Sequence, residues 1–338
     1  MAALPAPQTH GSRHPYRRTY AALDLGTNNC RLLIARPASR SEKGEAFTVV
    51  DAFSRIVRLG EGLGASGRIS DAAIERAMAA LRICSDKLVR RGVHLSRAVA
   101  TEACRRAENG PDFVARVYRE TGILLDIIDP GEEARLAAGG CHLMLEPGDG
   151  PALIFDIGGG STELVRVETR GDDMRIIDWT SIPWGVVSMS ESEPHGDPDR
   201  SVRLAAYDRM RARAAAAMAE FVDHRQIANG APLRLLGTSG TVTTLGSVHL
   251  GLTRYSRDLV DGLRLTTDEC RTISRSLAEM TVEDRAQVAC IGRERADLVV
   301  AGCAILEAIL DLWPAPRVGV ADRGIREGIL RNLMANER

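Results

Sequence analysis

One short pattern occurs twice in this chain of 338 residues and constrains its fold more than any other feature. The apolar run Tyr20–Leu25 leads into the turn GTNN, and the apolar run Ala152–Phe155 leads into DIGGGST. A further apolar run follows each turn, as in two strands joined by a tight turn. Because Asp24 and Asp156, which precede the turns, are 132 positions apart (156 minus 24), the period indicates a duplicated domain and not a solenoid.

Both halves of the chain alternate between strand-like and helix-like patterns, which predicts an α/β fold with two domains. Beyond the runs that flank the two turns, the expected strands are Phe47–Ile56, Leu95–Ala100, Ile123–Ile128, Arg175–Ile182 and Leu233–Leu236. The expected helices are Asp71–Arg91 with Ser70 as N-cap, Gly131–Leu145, Asp199–Gln226, Thr267–Met280, Ala296–Leu312 and Arg323–Met334.

A cluster of turn-forming residues, EPGDGP at 146–151, predicts the boundary between the domains. We assign residues 20–147 to domain I, which carries the first turn, and residues 148–338 to domain II, which carries the second. The last helix is a candidate to pack back on domain I. Residues 1–19 contain prolines, histidines and arginines but no apolar segment of a secretory signal, and we expect them to form a disordered leader.

Charge and cysteine content exclude several classes of protein. Lys+Arg total 44 and Asp+Glu 45, so no overall field indicates a nucleic-acid or membrane partner, and none is expected. The seven cysteines show no C-x-x-C spacing, which argues against a disulfide framework or a zinc site and favours the reducing cytoplasm. The longest apolar stretch, residues 298–313, includes Glu307 and Asp311 and therefore indicates a buried helix and not a membrane span.

Three glycine-containing turns are candidate phosphate sites, because backbone N–H groups in such turns converge where no side chain blocks them. The third, GTSGT at 237–241, stands between a strand and a helix. None of the three matches the dinucleotide or P-loop pattern. An ordinary hairpin explains one such turn, but two copies led by aspartate and a third loop favour a phosphate site. The predicted phosphate-binding residues are Gly26, Thr27, Asn28, Asn29, Gly158, Gly159, Gly160, Ser161, Thr238, Ser239 and Gly240.

Two aspartates are the candidates for a metal site. Asp24 and Asp156 each close a strand just before a glycine turn, so a folded duplication would direct both carboxylates into one cleft. Mg²⁺ takes oxygen ligands, usually one or two carboxylates together with water and substrate phosphate. The alternative is that each aspartate only begins its turn, which explains a single aspartate better than a repeated pair.

Five runs of residues carry a family resemblance. In chain order they are ALDLGTN (22–28), GEEARL (131–136), FDIGGGSTEL (155–164), GTSGT (237–241) and GIREG (324–328). These runs resemble the successive signatures of the exopolyphosphatase and guanosine pentaphosphate phosphohydrolase (Ppx/GppA) family, and the resemblance spans residues 20–334. It implies two ribonuclease-H-like domains of the actin-like ATPase superfamily with a cleft between them.

The resemblance also implies a reaction and its partners. Water attacks the terminal phosphate of inorganic polyphosphate or of guanosine pentaphosphate, with Mg²⁺ as the metal and Mn²⁺ as the alternative, in a homodimeric enzyme. Because the chain is similar to the short members that lack a C-terminal helical domain, we expect it to accept short polyphosphate chains with low processivity.

The resemblance assigns roles to individual residues. The second glutamate of GEEARL, Glu133, would position the attacking water, whereas the residues alone suggest only that Glu132 and Glu133 complement a helix dipole. An ordinary glutamate pKa of about 4.3 would make Glu133 a weak base. The run TEACRRA (101–107) implies that Arg105 binds phosphate, with its neighbour Arg106 as the alternative. Glu163 corresponds to an acidic position near the metal, but on a hairpin strand it could equally face solvent.

The chain departs from the family pattern at two of the predicted phosphate-binding positions. Asn29 stands where many members have serine, which changes a candidate phosphate donor. Ser239 stands where glycine is common, and we expect it to narrow the third loop.

Two other functions remain open at this point. A sugar or acetate kinase, or a chaperone-like ATPase, would use the same fold, but the GEEARL run favours water as the acceptor. A sensor that binds guanosine tetra- and pentaphosphate and turns over slowly would be expected to lack Glu133 or Asp156, and both are present.

Overall fold

A computed structural model of the chain describes residues 18–38, 47–222 and 233–337. Residues 1–17 of the predicted leader and residues 223–226 of a predicted helix lie outside the described residues. Arg18 and Thr19, which the sequence places in the leader, are part of the fold. Arg18 donates a hydrogen bond to Glu337 (2.9 Å), and the carbonyl of Thr19 accepts one from the backbone of His94 (2.7 Å).

The first sheet has five described strands in the order β3-β2-β1-β4-β5. Strands β1, β2 and β3 form an antiparallel meander, and β4 and β5 follow parallel to β1. The strands are β1 (Tyr20–Leu25), β2 (Asn29–Pro37), β3 (Phe47–Ile56), β4 (Leu95–Ala100) and β5 (Leu125–Ile127).

The second sheet repeats this arrangement. Its order is β10-β11-β9-β6-β7-β8, in which β6, β7 and β8 form the antiparallel meander and β9 and β11 follow parallel to β6. The strands are β6 (Gly150–Ile157), β7 (Thr162–Arg170), β8 (Asp173–Ile182), β9 (Arg234–Thr238), β10 (Arg264–Thr266) and β11 (Arg317–Ala321). The predicted duplication and the α/β class are therefore confirmed, with β1 and β6 in equivalent positions.

Helices are present at all the predicted positions, but several further helices, most of them short, were not predicted. Ser70 caps the second helix as expected, its hydroxyl accepting from the backbone of Ala73 (3.3 Å). The sequence did not predict α4, because its Gly110-Pro111 start is typical of a loop, although Phe113 is buried. The helices are α1 (Leu63–Ser66), α2 (Asp71–Arg90), α3 (Glu102–Arg106), α4 (Gly110–Thr121), α5 (Pro130–Cys141), α6 (Val186–Ser192), α7 (Arg200–Met218), α8 (Ser239–His249), α9 (Arg257–Val260), α10 (Thr267–Glu279), α11 (Val282–Gln287), α12 (Val299–Leu312) and α13 (Ile325–Ala335).

The longest apolar stretch of the sequence is a buried helix, as predicted. Residues 299–310 of α12 are all buried, within the core that packs against the second sheet. The carboxylate of Glu307 is compensated there by Arg211 (3.6 Å) and Arg271 (3.8 Å). Among the described residues, none of the helices combines the length and apolar character needed to cross a bilayer.

Two helices connect the sheets. Leu136 and Ala137 of α5 pack with the first sheet, whereas Ala134 and Ala138 on its other face pack with the second. The last helix, α13, packs on the first sheet through residues such as Ile329. The division of the chain at residues 147 and 148 remains a prediction, because α5 contributes to the cores on both sides and α13, from the second half of the chain, packs in the core of the first sheet.

Glycines allow α5 and α13 to approach closely. A Cβ atom added at Gly140 of α5 would collide with the carbonyl oxygen of Gly324, and one added at Gly328 of α13 would collide with the carbonyl oxygen of Leu136. In contrast, a Cβ atom at Gly139 would meet nothing within 4 Å.

We therefore expect Gly140→Ala and Gly328→Ala each to lower the free energy of unfolding by about 1–3 kcal/mol, the usual cost of forcing atoms into a packed contact. Gly139→Ala is the matched control. It should leave stability unchanged or raise it by up to about 1 kcal/mol, because alanine favours the helix over glycine. Urea denaturation of the three variants tests this, and equal effects at residues 139 and 140 would contradict it.

Candidate active site

The ends of equivalent strands meet at one cleft between the sheets. Asp24 is the penultimate residue of β1, and Asp156 is the penultimate residue of β6. Every residue predicted to bind phosphate or metal, and the predicted catalytic Glu133, lines this cleft, with the exception of Arg105. The folded duplication thus brings together residues that lie more than 200 positions apart in the chain, such as Gly26 and Gly240.

The first two glycine turns contact each other across the cleft. A Cβ atom at Gly159 would lie 2.8 Å from Cβ of Thr27 and 3.0 Å from the backbone nitrogen of Asn28. A Cβ atom at Gly160 would collide with the carboxylate of Glu102, which accepts a hydrogen bond from the Thr27 hydroxyl (3.1 Å). Only glycine allows this close approach of two backbones.

The third loop is strained at Ser239, the first residue of α8. Its φ of 80° lies in the left-handed region that favours glycine, which explains why glycine is common at this position in the family pattern. The serine hydroxyl donates to the carbonyl of Ile157 (2.7 Å), which ties the third loop to the end of β6. The first N–H groups of a helix have no partner within the helix, so the start of α8 presents donors suited to an anion.

Asp156, which is partly buried, and Glu163, which is buried, form an acidic pair. They lie directly opposite each other on β6 and β7, and Glu163 is only 2% exposed. Burial raises the pKa of Asp156 to about 6. Burial and the neighbouring Asp156 charge raise the pKa of Glu163 to about 7, although Ser181 donates a hydrogen bond to it (2.8 Å). The orientation of Glu163, which the sequence left open, is therefore into the cleft.

Asp24 suits a cation. Its Oδ1 atom is buried and has no hydrogen-bond partner among the described residues. Burial raises the pKa of Asp24, while the positive charges of Arg31 and Arg326 oppose this shift. A bound cation would satisfy the free oxygen and relieve repulsion among the carboxylates.

The described residues contain no group of three or more His, Cys, Asp or Glu side chains placed to hold a metal by themselves. Asp24 and Asp156 would therefore need water or substrate phosphate to complete a coordination shell. Mg²⁺ is usually bound in this way, through one or two carboxylates, and the oxygen donors present fit it.

The two glutamates of the GEEARL run point in different directions. Glu133 is 6% exposed and lines the cleft, and its Oε2 accepts a hydrogen bond from Arg105 (3.2 Å). Glu132 faces outward and forms an ion pair with Arg97 (2.7 Å). Burial, and next the charge of Glu163, raise the pKa of Glu133 well above its usual range. The expectation of an ordinary pKa of about 4.3 was therefore wrong, because sequence alone does not reveal this burial.

Arg105 does not line the cleft directly. It donates to the carbonyl of Ile128 (2.7 Å) as well as to Glu133, and so holds the start of α5 against the end of β5. Its binding of phosphate remains a prediction.

The cleft also contains arginines that the sequence did not single out. Arg31 lies opposite Asp24 on β2, as Glu163 lies opposite Asp156, and the same offset of 132 residues relates Arg31 to Glu163. Aligning the two copies of the repeat beyond the glycine turns would have paired Arg31 with Glu163 and so indicated Arg31 from the sequence. Arg326 belongs to the GIREG run, whereas no sequence pattern indicated Arg295 or Arg323.

Comparison with known proteins identifies the family. The sequence matches the Ppx/GppA phosphatase family over residues 37–337. The chain belongs to this family. The predicted resemblance is confirmed, and with it the two ribonuclease-H-like domains implied for the fold.

Sequence matches to members of the Ppx/GppA family extend over nearly the whole chain. Exopolyphosphatase 2 of Mycobacterium tuberculosis is 31% identical over 327 residues, which are 93% of this chain and 98% of that protein. A guanosine-5'-triphosphate,3'-diphosphate pyrophosphatase of Aeromonas salmonicida is 29% identical over 94% of this chain and 60% of its own length. The fold of this chain is similar to the crystal structure of the Aquifex aeolicus family member, with a TM-score of 0.73 and 26% sequence identity. The match covers 95% of this chain and 99% of the Aquifex aeolicus chain.

Because the carboxylates of the cleft repel each other, we expect the free energy of unfolding to depend on the protonation of Glu163. The pKa of Glu163 is about 7 in the folded protein against 4.5 ordinarily, so the folded state binds this proton more tightly than the unfolded state. The wild type therefore loses stability as pH rises through this interval. Glu163→Gln keeps the shape without the charge, and should be more stable than the wild type by about 1–3 kcal/mol above pH 7.

The gain should disappear below about pH 4.5, where both forms are neutral. Urea denaturation at pH 4, 6 and 8 with EDTA present measures it without interference from bound metal. A gain of equal size at every pH would show that the charge of Glu163 is not its cause.

Proposed function

We propose that this chain is an exopolyphosphatase that hydrolyses the terminal phosphoanhydride bond of inorganic polyphosphate and also removes the 5'-terminal phosphate of guanosine pentaphosphate. The exopolyphosphatase and pyrophosphatase names of its relatives support this substrate class. The observation that carries the proposal is the position of Glu133, a buried carboxylate held by Arg105 in the same cleft as two aspartate-led phosphate loops.

The proposed reaction joins water to the terminal phosphorus and breaks the bond from that phosphorus to the bridging oxygen. Orthophosphate and a chain shorter by one unit leave. The glycine loops hold phosphate oxygens through backbone N–H groups, and the arginines of the cleft balance their charge. In its ionised form Glu133 orients the water and accepts its proton, and the raised pKa makes this carboxylate a stronger base than an ordinary glutamate.

Asp24 and Asp156, with Glu163 beside them, would hold Mg²⁺, or Mn²⁺ as the alternative. When bound, such an ion neutralises charge on the phosphate oxygens and on the leaving group. We further propose that the protein acts in the cytoplasm, because all its cysteines among the described residues are free thiols, and that it is a homodimer like the family it resembles.

Replacing the carboxylate of Glu133 by an amide should separate the contribution of this residue to catalysis from its contribution to substrate binding. Glu133→Gln keeps the shape but loses the proton acceptor, and we expect kcat to fall by about 10²- to 10⁴-fold with KM within several-fold. Glu132→Gln is the matched control, because it breaks only the partly exposed ion pair with Arg97 and should leave kcat within about twofold. Loss of activity in Glu132→Gln with Glu133→Gln still active would overturn the assignment.

Removing the charge of Asp156 should change the metal requirement. We expect Asp156→Asn to raise the Mg²⁺ concentration for half-maximal activity by at least about tenfold, since even groups outside the first coordination shell affect metal affinity to that extent. The matched control is Asp178→Asn, because Asp178 lies on an exposed part of β8 and pairs with Arg166. This control should leave the metal titration unchanged. An unchanged titration for Asp156→Asn would mean that the two-aspartate metal site is wrong.

Substrate preference should depend on salt. Backbone donors recognise phosphate oxygens and not what lies beyond them, so we expect activity on both substrates, with polyphosphate the better one. Polyphosphate displaces more counterions on binding, so its kcat/KM should fall more steeply between two salt concentrations than that of guanosine pentaphosphate. Rapid cleavage of the pentaphosphate with no hydrolysis of polyphosphate would favour a pentaphosphate phosphohydrolase, and tight binding with negligible turnover would favour a sensor.

A further inference from the structure

The segment 57–62, which follows β3, is bound to the first phosphate loop. The N–H groups of Val57 and Arg58 both donate to the carbonyl of Asn28 (2.8 and 3.0 Å), and the N–H of Gly60 donates to the carbonyl of Thr27 (2.9 Å). A Cβ atom at Gly60 would collide with the Thr27 methyl group. Because of these contacts, the segment and the first phosphate loop hold each other in position.

From this segment Arg58 reaches the opposite half of the cleft. Its Nη1 lies 2.9 Å from Oδ2 of Asp297, its Nη2 lies 3.2 Å from Oδ1, and Nη2 also donates to the carbonyl of Glu294 (3.1 Å). A two-point contact between guanidinium and carboxylate has a defined geometry that a single charge lacks. Asp297 stands between Arg295 and Leu298, both of which line the cleft. The contact therefore connects the first phosphate loop to the segment that carries Arg295.

A second contact joins the same segment to the second phosphate loop. The N–H of Gly62 donates to the carboxylate of Glu191 on α6 (2.8 Å). Helix α6 itself is attached to the loop, since the N–H of Val187 donates to the carbonyl of Gly159 (2.8 Å). One short segment thus contacts the first loop directly and the second loop through α6.

The backbone at Arg58 suggests that its side chain is needed there. Its φ of 46° lies in the left-handed region that favours glycine. Among the described residues other than glycine, only Arg58 and Ser239 have a positive φ, and Ser239 belongs to the third phosphate loop. A residue with a long side chain in such a conformation is best explained by what that side chain contacts.

We propose that Arg58 and Asp297 form a latch between the two halves of the molecule, which holds the phosphate loops at the separation needed to bind a terminal phosphate. Neither residue lines the cleft itself. They line a second cavity that adjoins it, where Asn28 and Leu298 contribute to both walls. Arg58 is therefore a positioning residue that acts through Asn28 and Arg295, and its loss should weaken substrate binding more than it slows the chemical step. This inference rests on the function proposed above.

A double-mutant cycle with tripolyphosphate as substrate tests the latch. We expect Arg58→Ala and Asp297→Ala each to raise KM by about five- to tenfold, at the lower end of couplings between sites, with kcat within about twofold. The double variant should be no worse than the more affected single variant, because each single change already breaks the same contact. Additive effects of the two substitutions would overturn the proposal.

Two further substitutions at residue 58 separate the side chain from the backbone. Glycine suits the local φ, so Arg58→Gly should raise KM as alanine does if the latch matters, and should leave KM unchanged if only backbone conformation matters. Arg58→Lys keeps the charge without the two-point contact and should have an intermediate KM. Arg82→Ala is the matched control, because it removes a 2.6 Å contact with Glu120 on the same side of the cleft and should leave both constants unchanged.

Hydrogen exchange measured without substrate tests the latch independently of catalysis. Arg58→Ala should speed exchange at the amides of residues 57–60 and 294–298, and Arg82→Ala should not. If the wild type hydrolysed neither polyphosphate nor guanosine pentaphosphate, the proposed function would fail while this measurement still decided the latch. Unchanged exchange at these amides in Arg58→Ala would overturn the latch.

Discussion

The contact between α5 and α13 is the physical constraint on which the rest of the structure depends. Gly140 and Gly328 let the two helices approach until backbone meets backbone, and no side chain fits at either position. Helix α5 packs against both sheets and presents Glu133 to the cleft from its first turn. Helix α13 brings Arg326, its second residue, to the same cleft. A wider separation of the two helices would displace Glu133 and Arg326 together.

The acidic residues of the cleft destabilise the folded protein. Four carboxylates face one space, those of the buried Glu133 and Glu163 and of the partly buried Asp24 and Asp156. Burial raises the pKa of each. Such a group of like charges favours the folded state only when protons, arginines or a cation compensate it. This cost is typical of sites selected for binding and catalysis rather than for stability.

The two halves of the duplication have diverged at one position in a way that matters for charge. Arg31 and Glu163 are equivalent in the repeat and in the sheets, yet one is positive and the other negative. Burial raises the pKa of Asp24 and of Asp156, and the positive charge of Arg31 opposes both shifts, so domain I contributes a balancing cation to acids of both halves. Glu163 adds a further acid on the side of domain II. Glutamate at both positions would have made the cleft more strongly acidic, and arginine at both would have removed the acidic pair of Asp156 and Glu163.

The sequence by itself determined the α/β class, the duplication, most strand positions, and the glycine turns and acidic residues that meet in the cleft, because turn chemistry and apolar alternation are local properties. It did not reveal α4, β10, β11 or several helices of four to seven residues, whose short or glycine-led patterns carry little local signal. Only the tertiary structure decided that Glu133 and not Glu132 faces the cleft, that Arg105 holds Glu133, and that Arg58 reaches Asp297. These facts depend on burial and on contacts between residues far apart in the chain, and no local pattern encodes them.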